Sequence, residues 1–96
     1  MERRSFQFFG SVQGVGFRYR AQYAAQHLGL TGWVANLYDG SVMMEAQGEP
    51  EQLDQVVKLI CNNSRYIRLE DLHMRTSPPV EKERGFRVRS GGEYAY

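Results

Sequence analysis

The chain contains one cysteine, Cys61, among its 96 residues. A lone cysteine excludes an internal disulfide and a cysteine-based zinc site, and it fits a reducing compartment. An excess of charge of one sign is missing too: 12 Lys and Arg stand against 11 Asp and Glu, a formal net charge of +1. That balance leaves no bulk basic field to recruit nucleic acid or an anionic membrane, so any preference for anions has to be local. No apolar run approaches membrane-spanning length, and Met1-Glu-Arg-Arg4 is not followed by the apolar stretch of a signal peptide. There is no short-period repeat. The remaining composition, 42% hydrophobic and 24% charged, reads as one small globular domain over residues 1–90 that builds its core without metal or disulfide staples. Gly91-Gly92-Glu-Tyr-Ala-Tyr96 has too little apolar content to pack and is expected to be a flexible tail. The expected protein is a cytoplasmic monomer with no nucleic-acid or membrane partner.

The apolar pattern predicts alternating elements. Ser5 to Val12, rich in Phe and Val, reads as a strand. Phe17, Ala21, Ala24, Ala25 and Leu28 recur at helical spacing with Gly29 as a C′ residue, which predicts a helix over about 17–28. Leu30 to Tyr38 and Ser41 to Gln47 read as a hairpin around a two-residue Asp39-Gly40 turn. Pro50 suits a first helical position, and Leu53, Val56, Val57 and Ile60 form the buried stripe of a second helix ending near Cys61. Asn62-Asn-Ser64 breaks that helix, Ile67 to Arg75 alternates as a strand until Ser77-Pro-Pro79, and Phe86 to Arg89 forms a last short strand. The order β-α-β-β-α-β plus a short strand predicts an α+β, ferredoxin-like arrangement: an antiparallel sheet with two helices on one face. After a β-α-β crossover the second strand runs in the direction of the first, which brings Asn36 to the sheet end that carries the first turn.

That turn, Gly10-Ser-Val-Gln-Gly-Val-Gly-Phe-Arg18, is the most telling stretch of the chain. A helix N-terminus carries unpaired N–H groups and the positive end of the macrodipole, where Asp or Glu is the usual companion. Here Arg18 and Arg20 stand there instead. Two cations beside a positive dipole end carry an electrostatic cost unless a ligand such as phosphate supplies the negative charge. Gly14 and Gly16 give the backbone freedom to turn several N–H groups toward one point, and a guanidinium offers a planar fork for phosphate oxygens. Taken alone, each feature has a plainer reading. The glycines can form an ordinary flexible loop, Arg18 can be a solvated surface arginine, and Asn36 can be a polar residue near a turn.

The combination of this turn with Leu28-Gly-Leu-Thr-Gly-Trp-Val-Ala-Asn36 and Asp39-Gly-Ser-Val42 resembles the acylphosphatase family over nearly the whole chain. The resemblance implies hydrolysis of the carboxyl–phosphate anhydride of an acyl phosphate, with inorganic phosphate as product and inhibitor. It assigns phosphate binding to the backbone N–H groups of Gln13, Gly14, Val15, Gly16 and Phe17 and to Arg18, and water positioning to Asn36, making Arg18 and Asn36 the catalytic pair. No metal and no cofactor is implied, and neither Gly10–Arg18 nor Leu28–Asn36 carries a His or a carboxylate. An acyl phosphate has a good leaving group, so neutralising phosphoryl charge and aligning water suffice. In the family account a phosphate oxygen of the substrate accepts the water's proton. Ser11 departs from the family pattern, which favours Lys or Arg there, and Ala35 and Leu37 replace polar neighbours of Asn36.

The remaining candidates read as structural. His27 and His73 lack partners at metal-ligand spacing, Cys61 suits a small core residue, Met43-Met44 suits strand packing, and Glu81-Lys-Glu-Arg84 suits a solvated loop. Trp33 fits either the core or a partly exposed place near the site. Two rivals to hydrolysis stand beside it. One is an RNA-binding module, because Arg84-Gly-Phe-Arg-Val88 echoes the basic-Gly-aromatic strand of RNA-recognition folds. The other is a related domain that binds a phosphate metabolite without turnover.

Overall fold

The computed structural model of the protein describes residues 1–62 and 64–89. The expected tail at 91–96, and Asn63 in the expected helix break, lie outside the described residues. The elements are β1 (Glu2–Ser11), α1 (Phe17–His27), β2 (Thr31–Asn36), β3 (Val42–Gly48), α2 (Pro50–Cys61), β4 (Arg68–Ser77) and β5 (Phe86–Arg89). They form one five-stranded sheet in the order β4-β1-β3-β2-β5, with every pair antiparallel except β2 and β5. This is the ferredoxin-like βαββαβ sandwich expected from the sequence, made a mixed sheet by the parallel edge strand. Among the described residues no helix is long and apolar enough to cross a membrane.

Strand alternation explains the two faces. Phe6 and Phe8 on β1, Val34 on β2, Val42, Met44 and Ala46 on β3, and Phe86 on β5 point to the helices and are buried with Phe17, Leu53, Val56 and Ile60. Helix α1 packs over β2 and β5, α2 over β3, and the two helices touch each other. The aromatic rings of Phe8 and Phe17 meet at 4.7 Å and seat the start of α1 on the sheet. The end of α1 is a Schellman motif: Leu30 N–H donates to Ala25 O at 2.8 Å and Gly29 N–H to Gln26 O at 3.1 Å, with Gly29 as the C′ residue the sequence suggests.

Three expectations change. The first strand starts at Glu2, not Ser5, because Arg3 is only 2% exposed and ion-paired on the helix-free face. Its guanidinium donates to Glu45 at 2.7 Å and to Glu83 at 2.8 Å. Gln47 holds the same segment by exchanging two hydrogen bonds with the backbone of Val80, at 2.8 and 3.0 Å. The run Glu81 to Arg84 is therefore not wholly a solvated loop, since Glu83 fastens the β4–β5 connection to the first strand. Burial pushes the Glu83 carboxyl up, but hydrogen bonds from Arg3 and Thr31 outweigh it and hold it below its usual value.

The hairpin turn differs as well. Leu37 N–H donates to Ser41 O at 2.9 Å, so the closed loop has three residues, Tyr38, Asp39 and Gly40, and not two. Gly40 has φ 91°, the left-handed position of a three-residue hairpin with a bulge. Asp39 explains the choice: its carboxylate accepts from both the Ser41 N–H at 2.9 Å and the Ser41 hydroxyl at 2.5 Å. These bonds also hold the Asp39 carboxyl below its ordinary value.

Candidate active site

The two helices treat their dipoles differently. Helix α2 follows the electrostatic rule, with Glu51 in its first turn and Lys58 in its last. Helix α1 has no acid in its first turn and no side-chain cap on its N-terminal N–H groups. Its Ncap is Gly16 at φ 77°, two residues after Gly14 at φ 75°. A Cβ at either glycine would meet nothing within 4 Å, so it is backbone angle and not space that reserves these positions for glycine. Alternating hand across Gly14, Val15 and Gly16 is the backbone form that turns successive N–H groups inward on an anion. The ends of this loop are pinned by buried Val12 and Phe17.

Two tethers fix the loop and helix start to the sheet end. On one side, the Gln13 side-chain amide donates to Leu37 O at 2.8 Å and to Ser41 O at 2.9 Å, the two carbonyls that close the β2–β3 hairpin. On the other, the Arg18 Nη1 donates to the carbonyl of Arg89 at 2.8 Å. Arg89 pairs with Ala35 across the parallel β2–β5 ladder. Asn36 sits between the tethers, next to Ala35 and Leu37, in the cross-sheet row Phe8, Val42, Asn36. Its alternation places it on the helix side with Val34. It is half-buried and makes no side-chain hydrogen bond to another described residue, which leaves its donor and acceptor open to solvent. Arg18 is half-buried and takes part in no ion pair with a described residue. The glycine loop, the anchored guanidinium of Arg18 and the amide of Asn36 are thus linked at one end of the sheet, through Leu37 and Ser41 on one side and Arg89 on the other.

A family profile described as acylphosphatase matches residues 4–88. The chain belongs to the acylphosphatase family. It is 39% identical over 88 residues to an acylphosphatase of Clostridium acetobutylicum, covering 92% of this chain and 97% of that one. The crystal structure of the acylphosphatase from Bacillus subtilis superposes with a TM-score of 0.85 at 34% identity, covering 93% of this chain and 99% of that chain. An acylphosphatase from Coxiella burnetii gives 0.81 at 31%, covering 92% of each. As an acylphosphatase, the protein hydrolyses the carboxyl–phosphate anhydride of an acyl phosphate to carboxylate and inorganic phosphate.

Other residues of the acylphosphatase chain fall outside this region. Arg20, read from the sequence as a companion of Arg18, turns the other way and donates to Ile60 O at 2.8 Å and Asn62 O at 2.5 Å, capping the last carbonyls of α2. Cys61 is half-buried, and burial pushes its thiol up against the opposing charge of Arg20. His27 stacks on Tyr23 at 6.2 Å, and His73 packs on Phe9 at 4.8 Å beside Asp71. Trp33 is half-buried on the helix-free face under the Arg89 guanidinium, 5.4 Å from its ring. Met44 is core and Met43 is on the helix-free face. Phe86, the aromatic that favoured an RNA-binding strand, is 4% exposed and faces the helices, where it cannot stack on a base. The side chain of Gln13 and the carbonyl of Arg89 are the parts that sequence reasoning missed. Their partners lie 24, 28 and 71 positions away, so no local pattern announces them.

Proposed function

We propose that the backbone N–H groups of Gln13 to Phe17 and the guanidinium of Arg18 bind the phosphoryl group of the acyl phosphate, and that Asn36 holds the attacking water. The observation that carries this reading is the N-terminus of α1, left without acid or cap and given an arginine whose anchor leaves most of its fork unused. A dianionic phosphoryl group satisfies the orphan N–H groups, the dipole and the cation together. The water oxygen bonds to phosphorus as the anhydride P–O bond breaks, and the electron pair leaves with the carboxylate. The water's protons end on phosphate oxygens, giving carboxylate and dihydrogen phosphate. Each step needs orientation and charge neutralisation, which the cradle, Arg18 and the Asn36 amide supply. The substrate is a small acyl phosphate, and inorganic phosphate competes for the same cradle.

The test separates binding from alignment. Asn36→Ala is expected to lower kcat by roughly 10²–10³, as loss of a preorganised transition-state hydrogen bond does, while the inhibition constant of inorganic phosphate stays near its starting value. A parallel rise of that constant makes Asn36 part of the cradle. An unchanged kcat removes it from the reaction.

A further inference from the structure

The four residues between the pinned ends of the loop include only one side chain able to hydrogen bond, that of Gln13. It does not turn into the cradle. Its amide nitrogen spends both N–H groups on Leu37 O and Ser41 O. Each of those carbonyls already accepts a backbone N–H, from Gly40 at 3.2 Å and from Leu37 at 2.9 Å, so Gln13 takes up remaining lone pairs of a hairpin that is already closed. The hairpin is stiff on its far side as well, because Ser41, 1% exposed, is held by the Gln7 amide at 3.0 Å and donates to Asp39. The hairpin therefore closes without Gln13. What Gln13 adds is the distance between the cradle and the residue just before Leu37, which is Asn36.

We propose that the Gln13 side chain is a positioning residue for the hydrolysis: it sets where the water on Asn36 stands relative to the phosphoryl group in the cradle, and touches neither. The proposal rests on the reading of Asn36 given above. In-line attack tolerates little displacement, since a shift of about 1 Å in a reacting group costs on the order of 10² in rate. The backbone N–H of Gln13 stays in the cradle whatever its side chain is. Losing the side-chain amide therefore affects alignment without affecting phosphate binding.

Gln13→Met keeps the length of the side chain, carries no charge and removes both bonds, and each carbonyl retains its backbone partner, so the fold is expected to survive. Gln13→Asn keeps the amide but falls one methylene short. For both, kcat on an acyl phosphate is expected to drop roughly 10–100-fold while the phosphate inhibition constant changes less than about threefold. Adding Gln13→Met to Asn36→Ala is expected to cost almost nothing further, because residues acting through one another do not add. An inhibition constant that rises with the loss of kcat overturns the proposal by making the side chain a phosphate ligand. A lower melting temperature with unchanged kcat overturns it by making the bonds purely structural. Multiplying losses in the double variant overturn it while leaving Asn36 in place, whereas a wild-type kcat in Asn36→Ala alone overturns both.

Discussion

Arg18→Ala is the perturbation for which the structure separates activity from stability most cleanly. The substitution removes one charge-assisted hydrogen bond, Arg18 Nη1 to Arg89 O at 2.8 Å, made by a half-buried side chain. Hydrogen bonds to charged groups contribute about 1.5–3 kcal/mol, and partial exposure places this one at the low end. Against that loss, removing a cation from the positive end of α1 returns about 0.3–1 kcal/mol. The net destabilisation is about 1 kcal/mol, which lowers Tm by roughly 4–8 °C in a domain of this size. The reaction loses more: a guanidinium fork on the phosphoryl group is an electrostatic element of the kind whose removal costs about 3–4 kcal/mol, on the order of 10²–10³ in kcat/KM. Arg18→Lys keeps the charge but cannot both grip the Arg89 carbonyl and present a planar fork, so its activity should fall between the two. Acyl phosphate hydrolysis followed by phosphate release, alongside thermal melts, measures both quantities on the same preparation. An Arg18→Ala protein with kcat/KM within threefold of wild type would refute the reasoning. A Tm collapse far beyond the predicted shift would refute the stability half of it.

Glu83→Gln should lower stability at pH 7 by about 1–3 kcal/mol, since Arg3 loses its charged partner but keeps Glu45. The Glu83 carboxyl is held low in the folded state, so its contribution is present above the unfolded value near 4.3 and is lost as pH falls through the folded value. Urea midpoints should therefore decline less steeply in the variant than in wild type between about pH 5 and pH 3, and equal slopes would remove Glu83 from the acid response. Ser11→Lys should lower KM at low ionic strength by at most about fivefold, the worth of one exposed charge contact, and salt should abolish the gain. Because Ser11 pairs with Arg68 across β1 and β4, the same change should cost a few tenths of a kcal/mol in stability through like charges placed opposite. An unchanged KM would mean that residue 11 faces away from the substrate.

Local patterns made much of this fold legible. The stripe of α2 behind Pro50, the Gly29 cap of α1 and the strand alternation each rest on neighbours within a few residues, and each appears where its pattern points. The start of α1 stands out for the same reason, because a helix start with arginine in place of an acid is a local contradiction. The misread features depend on distant partners. Arg3 lies outside the strand that the local pattern predicts, because its partners Glu45 and Glu83 are 42 and 80 positions away. Arg20 looked like a twin of Arg18, yet it caps a helix that begins thirty residues later in the chain. The Asp39-Gly40 turn was found but given the wrong length, since glycine at the second position serves both hairpin types and the Ser41 bonds to Asp39 decide between them.

The parallel pairing of β2 and β5 has a consequence for how this protein comes into being. Arg18 and Asn36 leave the ribosome early, but the carbonyl that steadies Arg18 is supplied 71 positions later, by an edge strand of only four residues. A nascent chain can carry the loop and Asn36 and still lack the carbonyl that holds the Arg18 guanidinium. Distant pairings form slowly, so if Arg18 acts as proposed, full turnover is expected only once β5 has joined the sheet. The return of hydrolysis during refolding is then expected to report the docking of β5, a signal from the edge of the molecule read out at the proposed site.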